Sequence, residues 1–403
     1  MPMVEIGVRK KFRGLSTEEK PTTGLDVGDI WVECDTARQY IWDGSKWVEL
    51  HPVEAASYII FQEGDYVKAK NGLTGQIEFS GTDAADVIQN AIDALPTGGL
   101  IFIRRGTYSL SKGLTINAHG IILRGEGPDI TTLDFSQAGS GAMITIGDGV
   151  ARKDRIEVSF MTLRGRNDAA VPQKAIYVNY AAYLLFYRLV IHYFAGSGMY
   201  AIHGTKMAHS TIMDCHFWNN NGAVLIDGTT DNTANKIAFN YFYATGANPN
   251  PQLYIKAGSA LNRIIGNLFE GGLERIRVEA NNNVIMGNSF EYNEGAVDLV
   301  ISGSGHLVIG NNFTNGVNNT TTNSLFARNI VYSTPKCGTA TMPAGATSVT
   351  VNHGMPATPT IIVVTPRGNL GSVWVSARDS TSFTINCSSA PTVDTIVDWY
   401  AEV

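Results

Sequence analysis

Four cysteines in 403 residues (Cys34, Cys215, Cys337 and Cys387) are too few and too scattered for a disulfide framework or a C-x-x-C zinc site. Cys337 and Cys387 share one C-terminal stretch, so a bond between them stays open beside four free thiols. Charge is scarce as well: Asp, Glu, Lys and Arg make up 16% of the chain, against the roughly 25% usual for soluble domains. Thirty basic residues face 36 acidic ones, and no basic run is long enough to follow a phosphate backbone, so nucleic acid is not an expected partner. No apolar run approaches the roughly 20 residues of a membrane helix, so no membrane insertion is expected. The basic N-terminus carries no apolar signal segment, and the expectation is a soluble protein made in a reducing compartment.

Apolar residues (44%) and 42 glycines are plentiful, which suits a chain of short strands and tight turns with enough material for a large core. The length suggests several domains or one elongated one. Residues 1–52 read as a small β-module, with an Asp43-Gly44 hairpin between Gln39-Tyr40-Ile41-Trp42 and Lys46-Trp47-Val48-Glu49. Its three tryptophans, Trp31, Trp42 and Trp47, suit either a sugar platform or the core of a module with little else to bury; the core is favoured. Residues 53–80 read as a linker. In 83–95, Ala85, Ile88, Ile92 and Leu95 share a helical face, Thr82 or Asp83 can cap its start, and Pro96 with Gly98-Gly99 stops it.

A repeat then decides the fold. The unit apolar-x-x-Asn-x-Phe appears as Ile237…Asn240-Tyr241-Phe242, Ile264…Asn267-Leu268-Phe269, Ile285…Asn288-Ser289-Phe290 and Val308…Asn311-Asn312-Phe313. Weaker copies end at Leu163, Val190 and Phe217, and successive ends are 27, 27, 25, 27, 21 and 23 residues apart. Units of this length with two or three short strands predict a parallel β-solenoid over 81–335. The phenylalanines would stack in its lumen. Asn240, Asn267, Asn288 and Asn311 would form a ladder at a corner, where Asn tolerates the left-handed conformation.

With the opening helix, Gly98-Gly99-Leu100-Ile101-Phe102-Ile103, Gly106-Thr107-Tyr108 and Leu123-Arg124-Gly125-Glu126-Gly127, this stretch resembles the pectate-lyase-like superfamily, in the branch of phage tailspikes and surface depolymerases. The resemblance implies an all-β, right-handed parallel β-helix with an N-terminal capping helix, assembled as a homotrimer. Residues 336–403 alternate as strands and look like the small C-terminal β-sandwich at the ends of phage tail fibres and spikes. Residues 1–52 are similar to virion-attachment segments. No catalytic residue carries over: there is no Asp-Asp pair, Ala118-His119-Gly120 lies out of place for a polygalacturonase, and no lyase-type arginine motif is visible.

The residue after each inward Phe should face outward, which gives the column Arg164, Ile191, Trp218, Tyr243, Glu270, Glu291 and Thr314 on coils about 4.8 Å apart. Trp218 and Tyr243 can seat sugar rings. Glu270 and Glu291 would stack near the roughly 5 Å separation of a retaining glycosidase pair, serving as acid and as nucleophile or base. Asp298 is a third catalytic candidate. Glu274, Arg277 and Glu294 lie in the same two coils as substrate contacts, with Glu279 and Arg275 interleaved; crowding of carboxylates should raise one pKa. The competing readings are a solvated acidic face, a trimer contact or a calcium site; no cofactor and no metal are expected. His192, His203, His209 and His216 match no two-ligand metal spacing. Asp214 and Asp227 are spare acids. Tyr177, Leu225 and Tyr254, in one outward column, are expected at a trimer contact.

The expected function is a phage tailspike in the virion tail that acts at the bacterial surface. It would bind host polysaccharide, depolymerise it as an endoglycosidase rather than a lyase, and meet tail or baseplate proteins through its N-terminal module. The alternative is a non-catalytic trimeric fibre, adhesin or structural virion protein with the same stem, binding through the C-terminal sandwich. A cellular polysaccharide lyase or epimerase ranks third.

Overall fold

The computed structural model describes residues 10–35, 39–50, 55–228, 231–244, 250–291, 293, 295–330, 336–355 and 358–402. Its centre is a right-handed parallel β-solenoid of about eight turns. One coil shows the pattern. Thr211–Met213 and His216–Trp218 meet at a corner and Val224–Asp227 follows on a third side; the next coil repeats this as Lys236–Ala238, Tyr241–Ala244 and Leu253–Ile255. Each strand pairs in parallel with its counterpart one coil on. For clarity the three sides are called the first, second and third faces in that order.

The lumen is apolar and repetitive. Phe217, Phe242, Phe269, Phe290 and Phe313 stack at centroid separations of 4.9, 4.6, 5.1 and 5.2 Å, all buried. Offset aromatic stacks of this spacing add to the gain from area burial. Ile212, Ile237, Ile264, Ile285 and Val308 fill the first face, and Ile226, Ile255, Val278 and Ile301 the third.

The asparagine ladder forms as expected. The side-chain amides of Asn240, Asn267, Asn288 and Asn311 each donate to the Oδ1 of the next rung at 2.9–3.0 Å, ending on Asn329. The left-handed backbone, however, lies one residue earlier, at Asp214 (φ 55°), Phe239 (φ 56°), Gly266, Gly287, Gly310 and Arg328. Non-glycine residues hold that conformation at roughly 1–2 kcal/mol, offset here by the ladder bonds on the following residue. A second ladder, not foreseen, runs along the corner before the first face: Asn235, Asn262, Asn283 and finally His306.

The capping helix Ala84–Asp93 starts on Asp83, whose carboxylate accepts the Ala85 N–H at 3.0 Å and also Ser111 Oγ. It buries Ala85, Val87, Ile88, Ala91 and Ile92 over the open end of the lumen. The expected linker is corrected by the structure. Tyr58–Glu63, Tyr66–Asn71 and Ile77–Gly81 form an antiparallel meander, and Tyr58–Glu63 pairs in parallel with Gly99–Ile103, so this stretch belongs to the solenoid sheet. Alternating Tyr58, Ile60, Val67 and Ala69 point into the core, which explains why it is ordered structure.

Before the solenoid, Lys11–Gly14, Ile30–Glu33, Gln39–Trp42 and Trp47–Leu50 make a four-stranded sheet. Its tryptophans pack: Trp31 and Trp42 are buried, Trp42 meets Trp47 at 5.6 Å, and Trp47 Nε1 donates to the Pro21 carbonyl. After it, two three-stranded sheets enclose Met342, Phe383, Ile385, Val397 and Trp399 as a sandwich. All four cysteines are free thiols.

Candidate functional site

The outward column of the second face runs Asp134, Arg164, His192, Trp218, Tyr243 and Glu270 in strict register, and Glu291 follows, its N–H donating to the Phe269 carbonyl. The inward phenylalanines fix this, because strand side chains alternate. Ile191 is thereby corrected: it is buried and the outward position is His192. The cause is Arg188, in the left-handed conformation (φ 49°) inside the strand Leu185–His192. It turns the corner as Phe160, Asp214 and Phe239 do, three residues before the inward position, but Leu189 and not an Asn follows it, so the sequence leaves this corner unmarked.

An aromatic floor occupies the middle of the column. His192 stacks on Trp218 with centroids 5.7 Å apart, and Tyr193 lies 5.4 Å from Trp218. Trp218 is 37% exposed, enough to present an indole face. Beside it on the same face, His216 meets Tyr241 at 4.7 Å, and the Tyr241 hydroxyl donates to Glu270 Oε2. Burial, then that carboxylate, pushes the Tyr241 phenol up, so it remains a donor at all working pH values. Burial holds His192 and His216 below the ordinary 6.5, and Arg164 adds to this at His192. At the far end Arg164 pairs with nearly buried Asp134; burial opposes the anion, but the Arg164 hydrogen bond wins and its carboxyl sits below the usual range. The strip thus has an ion pair at one end, neutral rings in the centre and two carboxylates at the other. Neutral rings with polar edges suit sugar faces, and the carboxylates sit where proton transfer to a bound sugar is feasible.

The remaining candidates separate. Asp298 is corrected: it is wholly buried, 2.9 Å from buried Arg275, and accepts the N–H groups of Thr314 and Asn315 at 2.7 Å. It holds the turn after Phe313 and does not reach a polymer. Arg275 likewise binds the Glu291 carbonyl. Glu274 and Arg277 lie on the third face, joined by two bonds of 2.6 Å that raise the Arg277 guanidinium. They therefore do not share a face with Glu270 and Glu291. Glu294 lies outside the described residues. Asp214 pairs with Arg188 at a corner, and Asp227 lies on the third face with His203 and Lys256. Among the described residues, no three His, Cys, Asp or Glu side chains converge as a metal-ligand set. His192, His216 and Tyr241 were missed by sequence reasoning; the outward side of Tyr241-Phe242-Tyr243 was legible, but His192 needed the Arg188 corner.

No protein-family profile matches the chain, and no curated protein sequence matches it. Solved structures do. ORF18 of Geobacillus virus E2 superposes with a TM-score of 0.56 at 14% identity, covering 94% of this chain and 89% of its own. The fold is the right-handed parallel β-helix. An alginate lyase from Paenibacillus sp. str. FPU-7 gives a TM-score of 0.50 at 17% identity over 61% of this chain and 92% of its own. The tailspike of Acinetobacter baumannii phage AM24 gives 0.42 at 11% identity over 94% and 86%. At these identities the likeness is one of fold, as the resemblance of about residues 81–332 implied.

Proposed function

We propose that this protein is a phage tailspike that binds a host surface polysaccharide along the second face and hydrolyses it, with Glu270 and Glu291 as the acid and the nucleophile or base. The observation that carries this reading is the outward column His192, Trp218, Tyr243, Glu270, Glu291, rings leading to carboxylates on two neighbouring coils. A virus-encoded chain with the same fold over 94% of this one supports a viral role; in this reading the protein sits in the virion tail, and the N-terminal sheet is the part that meets tail or baseplate proteins. The test is incubation of purified protein with bacterial capsular polysaccharides. A fall in viscosity with release of oligosaccharides supports the reading; adhesion without chain shortening overturns the catalytic part.

The spike is proposed as a homotrimer, but through the first face. Of the column expected at the contact, Leu225 is already 4% exposed in the single subunit, and Tyr254 is flanked by Lys256 and Arg277. The first face instead presents rows Val284, Leu307, Leu325 and Ile265, Met286, Ile309 along the axis, with Met286 39% and Leu325 43% exposed. No carboxylate occurs in these strands. A second copy in parallel would bury them against like rows.

The adhesin reading draws on one observation. Ile361, Val363 and Tyr400 stand exposed on the outer side of one sheet of the C-terminal sandwich, with Val363 and Tyr400 directly paired. Such a patch suits a binding surface that needs no cleavage.

A further inference from the structure

A dense polar cluster on the third face lies outside the site above. Tyr177, His203, Leu225, Tyr254 and Arg277 are consecutive in one outward column. His203 Nε2 is 3.2 Å from Asp227 Oδ2, and Lys256 Nζ is 3.0 Å from Asp227 Oδ1. Asp227 is doubly held, so its carboxylate accepts the Nε2–H of His203 and leaves the ring lone pair on Nδ1. The Tyr177 ring meets His203 nearly edge-on at 5.4 Å, and Lys174 Nζ lies 5.5 Å from the same ring. Side-chain exposures of 19% for His203 and 33% for Asp227 leave the dyad within reach of a group projecting from a polymer, not of a deeply enclosed ligand.

Around the dyad, the cations Lys174, Lys256 and Arg277 stand with the carboxylates Asp227, Glu274 and Glu279. Lys256 pairs with Asp227, and Arg277 pairs with Glu274 and Glu279. Lys174 makes no ion pair among the described residues, and burial lowers its ammonium. Burial likewise keeps His203 neutral near pH 7 in spite of Asp227. The arrangement is an oriented neutral base with an uncommitted cation near it, Lys174; the other lysine of this face without an ion pair among the described residues, Lys206, lies over the Tyr180 ring at the corner. That combination suits attack on a neutral acyl group, where negative charge appears only in the transition state.

We propose that the third face is a second catalytic centre, an esterase that removes acyl substituents from the hydroxyls of the bound polysaccharide. His203 is the general base, Lys174 faces the oxyanion, and Asp227 is a positioning residue. This rests on the reading of the ligand as a surface polysaccharide. In the step, His203 Nδ1 takes a proton from water as the water oxygen bonds to the ester carbonyl carbon, giving a tetrahedral oxyanion opposite Lys174. The oxyanion then collapses, the bond from carbonyl carbon to sugar oxygen breaks, and the proton passes from His203 to the sugar oxygen. A free hydroxyl and a carboxylic acid leave, and water is the only co-reactant.

The test uses the full chain with p-nitrophenyl acetate and with acetylated xanthan, scoring acetate release and chain shortening separately. The wild type is expected to exceed the buffer rate. His203→Gln should lose about 10²-fold or more, and Lys174→Met at least about tenfold. Asp227→Asn should lower the rate and shift the acid limb of the pH–rate profile, with Asp227→Glu recovering part of it. His209→Ala, on a stacked surface histidine elsewhere, should leave the rate unchanged. A wild type at the buffer rate, or His203→Gln and Lys174→Met both at the wild-type rate with unaltered melting temperatures, overturns the proposal. Chain shortening without acetate release removes this centre and leaves the glycosidase reading; acetate release without shortening does the reverse.

Discussion

His306 closes the second asparagine ladder by accepting the backbone N–H of Asn283 on its Nδ1 at 3.3 Å, while its Nε2–H donates to the Ser302 carbonyl. In each rung above, the side-chain amide of one Asn also donates to the next Oδ1. A ring nitrogen offers a single lone pair, and the Asn283 Nδ2 is left buried without a partner. His306→Asn should supply the missing acceptor and stabilise the protein by about 1 kcal/mol, read as a rise in the denaturation midpoint at unchanged slope. An unchanged or lower midpoint at pH 7.5 would mean that ring packing outweighs the extra bond.

The same histidine makes stability pH-dependent. Burial holds His192, His203, His216 and His306 below 6.5, the ordinary value. The unfolded chain therefore binds more protons as pH falls. Their contribution is fully present above 6.5 and is lost as pH falls through 6.5 toward the folded values. The melting temperature should drop between pH 7.5 and 5.5, and His306→Asn should narrow that drop. Equal drops in the two proteins would remove His306 as a contributor.

Asp298 and Arg275 form a wholly buried pair at 2.9 Å. Asp298→Asn leaves the guanidinium uncompensated and should cost about 3–5 kcal/mol. Adding Arg275→Gln should recover more than half of that loss. Chemical denaturation of the single and double variants checks both, and a loss under about 1 kcal/mol would show that the pair is solvated.

On the second face, Glu270→Gln and Glu291→Gln should leave the fold intact and slow polysaccharide cleavage about 10²- to 10⁴-fold. Trp218→Ala should instead weaken glycan binding about three- to tenfold, since it removes a stacking face worth about 0.5–1.5 kcal/mol. Cleavage at the wild-type rate by both Gln variants would move the chemistry to another face.

Met286→Asp and Ile309→Asp place two charges on adjacent coils in one apolar row of the first face. Sedimentation at micromolar concentration should show a trimer for the wild type and monomers for the double variant. A monomeric wild type would end the trimer reading, and a trimeric double variant would place the contact on another face.

The repeat was legible because each coil carries the same local instruction: an apolar residue in, a corner amide to hydrogen-bond the coil beside it, a Phe in. Alternation then assigned Trp218, Tyr243, Glu270 and Glu291 to one outward column, since each sits one step from a lumen Phe. The capping helix was equally readable from its Asp83 cap and its apolar face. What local pattern does not carry is a corner without its amide, as where Leu189 stands in the place that later coils give to Asn. Arg188 in the left-handed conformation moved His192 outward and Ile191 inward, and nothing in Leu-Phe-Tyr-Arg-Leu-Val-Ile-His marks that corner. Nor does composition say which carboxylate is solvated. Asp298 and Glu270 are both acids one coil apart in sequence, yet one is sealed beside Arg275 and the other meets Tyr241 at the surface. Burial of a charge depends on a partner from the neighbouring coil, and so on how the coils stack, which only the tertiary structure decides.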